Sequence, residues 1–143
     1  MSTPDQRMSI LTIAVPDLDA SRRFYNDVFG WQPDEASDEE AASIAFYSLN
    51  GFKFALYPLD KFAEEHGGDI TPPGGFTLAY NVNTETEVDV LFEHFKANDV
   101  TILKAPEKVF WGGYSGYIEA PGGEQWEIAY NPYTPVNPDG TFG

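Results

Sequence analysis

The sequence passes through the same order of secondary-structure signals twice. Ser9-Ile10-Leu11-Thr12-Ile13-Ala14-Val15 is apolar and β-branched, and Pro16-Asp17 ends it, because proline removes a ladder donor and favours a turn. Behind it, Leu18, Ser21, Phe24, Tyr25, Val28 and Phe29 recur at helical spacing, with Asp17 or Asp19 placed to cap the first turn and Gly30 to end the last. Residues 76–82 read as a second such strand, and Thr84-Glu85-Thr86-Glu87 offers a capping box ahead of Val88, Leu91, Phe92 and Phe95. Val15 and Val82, 67 positions apart, each close a strand before a helix. Gly51-Phe52-Lys53-Phe54-Ala55-Leu56 matches Gly123-Glu124-Gln125-Trp126-Glu127-Ile128 at an offset of 72, so the second copy is 5 residues longer between these anchors.

The remaining segments complete each copy. Residues 43–49 and 52–59 are apolar, aromatic runs around Asn50-Gly51, a hairpin dipeptide, and a short edge strand is expected near Trp31. Residues 100–103, 113–120 and 125–130 read as strands, the last two joined by Pro121-Gly122-Gly123. The class is therefore α+β, with βαβββ modules over 8–59 and 76–132 in one domain spanning 1–143. A connection over 60–75 carries Gly67-Gly68, Pro72-Pro73 and Gly74-Gly75, and the tail 133–143 reads as irregular. Each half is too short to bury both faces of its sheet, so the two are expected to close around a shared cleft.

Composition narrows the partners. Lys and Arg number 8 against 23 Asp and Glu, and a net charge of −15 repels the phosphates that dominate nucleic-acid affinity and the headgroups of anionic membranes. No apolar run approaches the about 18 residues of a spanning helix, and Met1-Ser2-Thr3-Pro4-Asp5-Gln6-Arg7 lacks the character of a secretory signal. A cytoplasmic location is expected. The absence of cysteine removes disulfides and thiolate chemistry. Five acids within residues 33–42 read as a solvated loop. Aromatic residues make up 15% of the chain, enough to fill either a core or a ligand pocket.

Val15-Pro16-Asp17-Leu18-Asp19-Ala20-Ser21-Arg22-Arg23-Phe24-Tyr25, followed by Phe29-Gly30-Trp31, resembles the opening signature of the glyoxalase, bleomycin-resistance and extradiol dioxygenase families, together the vicinal oxygen chelate superfamily. Ala120-Pro121-Gly122-Gly123-Glu124-Gln125-Trp126-Glu127-Ile128-Ala129 resembles its closing signature, with Ala120 and Gly122 where acids are usual. The likeness covers about residues 8–132 and implies the two-module fold and homodimerisation. It does not select an activity, because that scaffold hosts isomerases, dioxygenases, thiol transferases and drug-binding proteins.

Metal-dependent members of the superfamily carry ligands at positions that this chain fills with Ile10, Ala55, Thr77 and Glu127. A chelated divalent ion normally needs at least three protein ligands, and neither isoleucine nor alanine offers a side-chain lone pair. No cofactor is therefore expected. His66, in the connection, and His94, off the apolar stripe of the second helix, read as surface residues.

Glu127 alternates with Trp126 and Ile128, so it faces away from both. The resemblance implies that it points into the cleft, as general base, ligand anchor, or a carboxylate held by a tyrosine hydroxyl or a lysine. In Phe110-Trp111-Gly112-Gly113-Tyr114-Ser115-Gly116-Tyr117, glycines among large rings suggest a ligand wall of Phe110, Trp111, Tyr114, Ser115 and Tyr117, with hydroxyls projecting into a common space; ordinary barrel packing is the other reading. Arg22, Arg23, Lys104 and Lys108 read either as anion-neutralising groups or as solvated surface. The expected function is metal-independent binding of a small organic ligand, either alone or with isomerisation or deprotonation through Glu127. Two alternatives stay open: a drug-sequestering protein, and a metal-dependent lactoylglutathione-lyase-like or dioxygenase-like enzyme.

Overall fold

The computed structural model describes residues 3–67, 71 and 73–143, the side chain of His66 excepted. The expected connection residues Gly68 and Pro72, and the surface placement of His66, lie outside the described part. The chain divides into two compact units, Met1–Ile70 and Thr71–Gly143.

The first unit contains β1 (Ile10–Val15), α1 (Leu18–Arg23), a π-helical turn (Phe24–Val28), α2 (Asp38–Ala41), β2 (Ala45–Ser48), β3 (Lys53–Pro58) and α3 (Leu59–His66). The sheet order is β1-β3-β2, with β1 parallel and β2 antiparallel to β3. Asp17 caps α1 by accepting from the Ala20 amide at 3.0 Å. The expected single helix instead widens at Phe24, where the Phe29 amide reaches the Phe24 carbonyl at 3.1 Å, five residues back. This wider turn buries Phe24 and Tyr25 together, and Asn26 accepts the Tyr47 hydroxyl at 2.7 Å. Tyr25 is wholly buried among Phe24, Phe29, Trp31, Tyr47 and Phe54, with ring centroids 5.0 to 6.0 Å away. In this unit the aromatic residues thus build a core.

Three expectations for this half are corrected. No strand forms at Trp31; the chain that follows is tied to β2 through Asp34, whose amide donates to the Phe46 carbonyl at 2.8 Å. The acidic stretch is not simply solvated loop, because Ser37 caps α2 and Asp34 binds Lys53 at 2.7 Å and Ser48 at 2.8 Å. The segment after β3 is helical: Leu59, Phe62 and Ala63 share a half-buried stripe, and Gly67, at φ 74°, ends α3 in the left-handed conformation.

The second unit contains β4 (Leu78–Val82), α4 (Glu85–Ala97), β5 (Thr101–Lys108), β6 (Tyr114–Glu119) and β7 (Gln125–Tyr130), with sheet order β4-β7-β6-β5. Thr84 caps α4 by accepting from the Glu87 amide at 3.1 Å, and Glu87 accepts from the Asn83 amide at 2.8 Å. Val88, Phe92 and Phe95 bury the inner stripe of α4, and Ile118, Trp126 and Ile128 are buried on the sheet. β5 runs well past the expected 100–103, with register shifts between Ile102 and Lys104 and between Lys104 and Glu107. The tail is irregular but anchored: Asn83 receives the Val136 amide at 2.9 Å and donates to its carbonyl at 3.0 Å. The two modules are thus an α+β pair of three- and four-stranded sheets. Among the described residues no helix is long and apolar enough to cross a membrane.

Candidate functional site

Period-two alternation sorts β6 into two faces. Gly116 lies against α4, where an added Cβ would sit 2.6 Å from the Phe92 ring, 2.8 Å from the Lys104 carbonyl oxygen and 3.0 Å from the Pro106 nitrogen. Tyr114 shares that side and its hydroxyl donates to Asp89 of α4 at 2.6 Å. This bond, followed by desolvation, pushes the Tyr114 phenol up to about 12. Ser115 and Tyr117 therefore belong to the opposite face, which is covered at Ser115 and half open at Tyr117. The expected convergence of the Tyr114, Ser115 and Tyr117 hydroxyls is corrected on this ground: an odd spacing along a strand places two side chains on opposite faces.

The other members of the aromatic string are equally dispersed. Phe110 stands fully exposed at the tip of the β5–β6 turn. Trp111 is folded back over Gly113, where an added Cβ would meet its ring at 2.2 to 2.7 Å. Gly112, at φ 101°, lets the turn reverse, and the Tyr133 hydroxyl lies close to it. Ser115 is buried at 4% exposure. The structure thus brings together Tyr117 and Ser115 on one face, puts Tyr114 on the other and leaves Phe110 exposed at the turn.

Glu127 stands directly opposite Tyr117 on β7, and the Tyr117 hydroxyl donates to Glu127 Oε2 at 3.0 Å. Desolvation, then the bond to Glu127 and its negative charge, raise the Tyr117 phenol above its ordinary value. Ala79 of β4 flanks Glu127 on the other side, and Lys104 of β5 pairs with Tyr117, giving a row Ala79, Glu127, Tyr117, Lys104 across four strands.

Lys104 owes this place to a β-bulge. Ile102 pairs with Ile118 on the helix side, yet two residues later Lys104 pairs with Tyr117, only one step along β6. The extra residue, Leu103, breaks the alternation and turns Lys104 to the open face; the second shift then puts Glu107 opposite Ser115 on that same face. Lys104 Nζ binds Glu107 at 2.7 Å, and that carboxylate raises the ammonium above its ordinary value. Lys104, expected with Arg22, Arg23 and Lys108 to be either an anion-neutralising group or solvated surface, is thus placed by strand pairing, which only Pro106 within the strand hints at in the residues.

Arg22 donates to the Ala41 carbonyl and pairs with Asp19, and Lys108 lies 3.9 Å from Glu85. His94 is exposed on α4 beside Asn98.

At the positions where metal-dependent relatives chelate, Ile10 is half exposed on β1, Ala55 is fully buried in β3, and Thr77 is exposed just ahead of β4. Two of these side chains have no donor atom, and the Glu127 carboxylate is engaged by a phenol. Among the described residues, no group of three or more His, Cys, Asp or Glu is placed to hold a metal ion. The residues present do not fit an ion held in that manner.

The sequence pattern of the glyoxalase/bleomycin resistance protein/dioxygenase superfamily matches residues 7–128. A crystal structure of a glyoxalase-related enzyme from Fulvimarina pelagi is similar at 37% identity and TM-score 0.86, over 96% of this chain and 97% of that one. A glyoxalase/bleomycin resistance protein/dioxygenase from Nocardioides has the same fold at 22% identity and TM-score 0.74, over 90% and 85% of the two chains. Lactoylglutathione lyase from Agrobacterium tumefaciens shares it at 21% identity and TM-score 0.69, over 92% and 98%. No functionally curated protein matches the sequence. Covering most of the chain from Arg7 to Ile128, the superfamily pattern and the Fulvimarina likeness together establish that this chain belongs to the glyoxalase/bleomycin resistance protein/dioxygenase superfamily.

Proposed function

We propose that this chain binds a small organic ligand on the open face of its second sheet, against Glu127, Tyr117 and Lys104, without a divalent metal. The observation that carries this reading is the hydrogen bond from Tyr117 to Glu127: a half-buried carboxylate at a family ligand position is held by a phenol. A carboxylate so oriented can take a proton from a ligand, while the adjacent Lys104 ammonium offers donors for the ligand's oxygens. Isomerisation or deprotonation through Glu127 follows, in keeping with the similarity to a protein described as a glyoxalase-related enzyme. Retention of ligand without turnover is the second reading, favoured by the net charge of −15, which draws in cationic compounds. Members of the superfamily commonly form dimers, and a homodimer is the proposed working form.

Elemental analysis of the purified protein tests the metal-free reading: no stoichiometric nickel, zinc, iron or manganese is expected, and a stoichiometric ion would overturn it in favour of a lyase or dioxygenase mechanism. Glu127→Gln tests the role of the carboxylate. Loss of turnover with ligand binding retained establishes a general base, and unchanged turnover and binding reject the site.

A further inference from the structure

We propose that Glu107 sets the charge class of the ligand on the Glu127 row: paired with Lys104, it turns away carboxylates and admits a small uncharged molecule that presents an oxygen to the ammonium. The inference rests on the first reading given above, in which that row is the ligand face.

Glu107 reaches this face through the second irregularity of β5. Continued from Lys104 opposite Tyr117, regular pairing would set Glu107 opposite Tyr114, on the α4 side. The shift sets it opposite Ser115 instead, and Lys108 opposite Tyr114. Lys104 and Glu107 thereby share one face, and their ion pair closes at 2.7 Å. The two side chains are 54% and 55% exposed, so the pair adds little to folding and acts on what approaches the face.

The electrostatics of the row follow from these placements. Lys104 has Glu127 beyond Tyr117 on one side and Glu107 along its own strand. Its charge is met within the protein, and the three side chains together carry a net negative charge. A carboxylate ligand would lose water against that charge and would have to displace Glu107 to reach the ammonium. An uncharged oxygen meets no such cost, because an ammonium carries more N–H donors than one carboxylate uses. The Tyr117 hydroxyl donates to Glu127 at 3.0 Å, which leaves the ammonium to receive that oxygen. A cationic ligand group would stand against Lys104 itself.

The test is amide NMR of the full chain titrated with acetophenone and benzoate, probes of one shape that differ in charge. In the wild type, acetophenone is expected to shift Tyr117 and Glu127, and benzoate to bind at least about five-fold more weakly. Glu107→Gln preserves the shape of the side chain and is expected to strengthen benzoate about ten-fold, while acetophenone stays within about two-fold. Lys104→Gln added to Glu107→Gln is expected to remove that gain. Glu93→Gln is the control for bulk charge: it breaks the Lys96–Glu93 pair of α4, exposed and of the same sequence spacing, and should leave benzoate within about two-fold. Benzoate bound by the wild type as tightly as acetophenone, an unchanged benzoate affinity in Glu107→Gln, or the same gain from Glu93→Gln would overturn the role of Glu107 and leave the ligand face standing. Absence of shifts at Tyr117 and Glu127 with both probes in every variant would overturn the ligand face, and this inference with it.

Discussion

Tyr117 and Glu127 are directly paired across β6 and β7, and the phenol donates to the carboxylate at 3.0 Å. The carboxylate therefore bears on the titration of the phenol. Because desolvation and Glu127 raise the Tyr117 phenol, Glu127→Gln is expected to move its ionisation back towards the ordinary tyrosine value. Phenolate absorbance during an alkaline titration, with Tyr117→Phe identifying the signal, measures this. An unmoved Tyr117 titration would show that the bond is absent in solution.

Tyr114 tests the helix side of the same strand. Its folded-state phenol is raised to about 12 by Asp89, so the neutral form is favoured by folding. That contribution is complete below the ordinary tyrosine value and is lost as pH rises through the raised one. Tyr114→Phe is expected to cost about 0.5 to 1 kcal/mol at neutral pH, as for an exposed hydrogen bond, and the gap from the wild type should close at strongly alkaline pH. Denaturant unfolding across pH checks both statements.

Gly113 and Gly116 make a contrasting pair. A methyl at Gly116 would press on the Phe92 ring and on the backbone of β5, and Gly116→Ala is expected to destabilise by about 1 to 3 kcal/mol. The nearest atoms a methyl at Gly113 would meet are those of the Trp111 ring, a residue that is 39% exposed and can swing away. Gly113→Ala should therefore change tryptophan fluorescence with a smaller loss of stability than Gly116→Ala. The reverse order would contradict the packing described.

Asp34 anchors the acidic stretch through Lys53 and Ser48, and these hydrogen bonds hold its carboxyl below the usual value. The stability it contributes is present above the ordinary aspartate value and fades as pH falls through the lowered one. Asp34→Asn should flatten the acid limb of the stability curve, and an unchanged limb would refute the anchor.

Asn83 holds the tail by two bonds to Val136. Asn83→Ala is expected to speed amide exchange at Val136 and the residues that follow, while β7 stays protected. Unaltered exchange in the tail would show that other contacts secure it.

Much of the architecture was legible in the residues. β1, α4 and β7 follow their patterns closely, because a long apolar stripe, a Thr84 to Glu87 cap and strict alternation agree with one another. α3 was hidden by its neighbours: Phe62 and Ala63 carry a helical stripe, but the glycines and prolines after Gly67 dominated the reading of that segment. The pairing of Tyr114 with Tyr117 in one wall neglected alternation, which the sequence did contain. The placement of Lys104 was not accessible in this way, since a bulge is defined by which partner a strand finds.

Leu103 also bears on how relatives are compared. A chain that kept every residue but ran β5 without the bulge would pair its counterpart of Leu103 with Tyr117, send its counterpart of Lys104 towards α4 and offer an uncharged side chain in its place. Two sequences alike through this strand thus differ in the ionic character they present wherever their pairing differs.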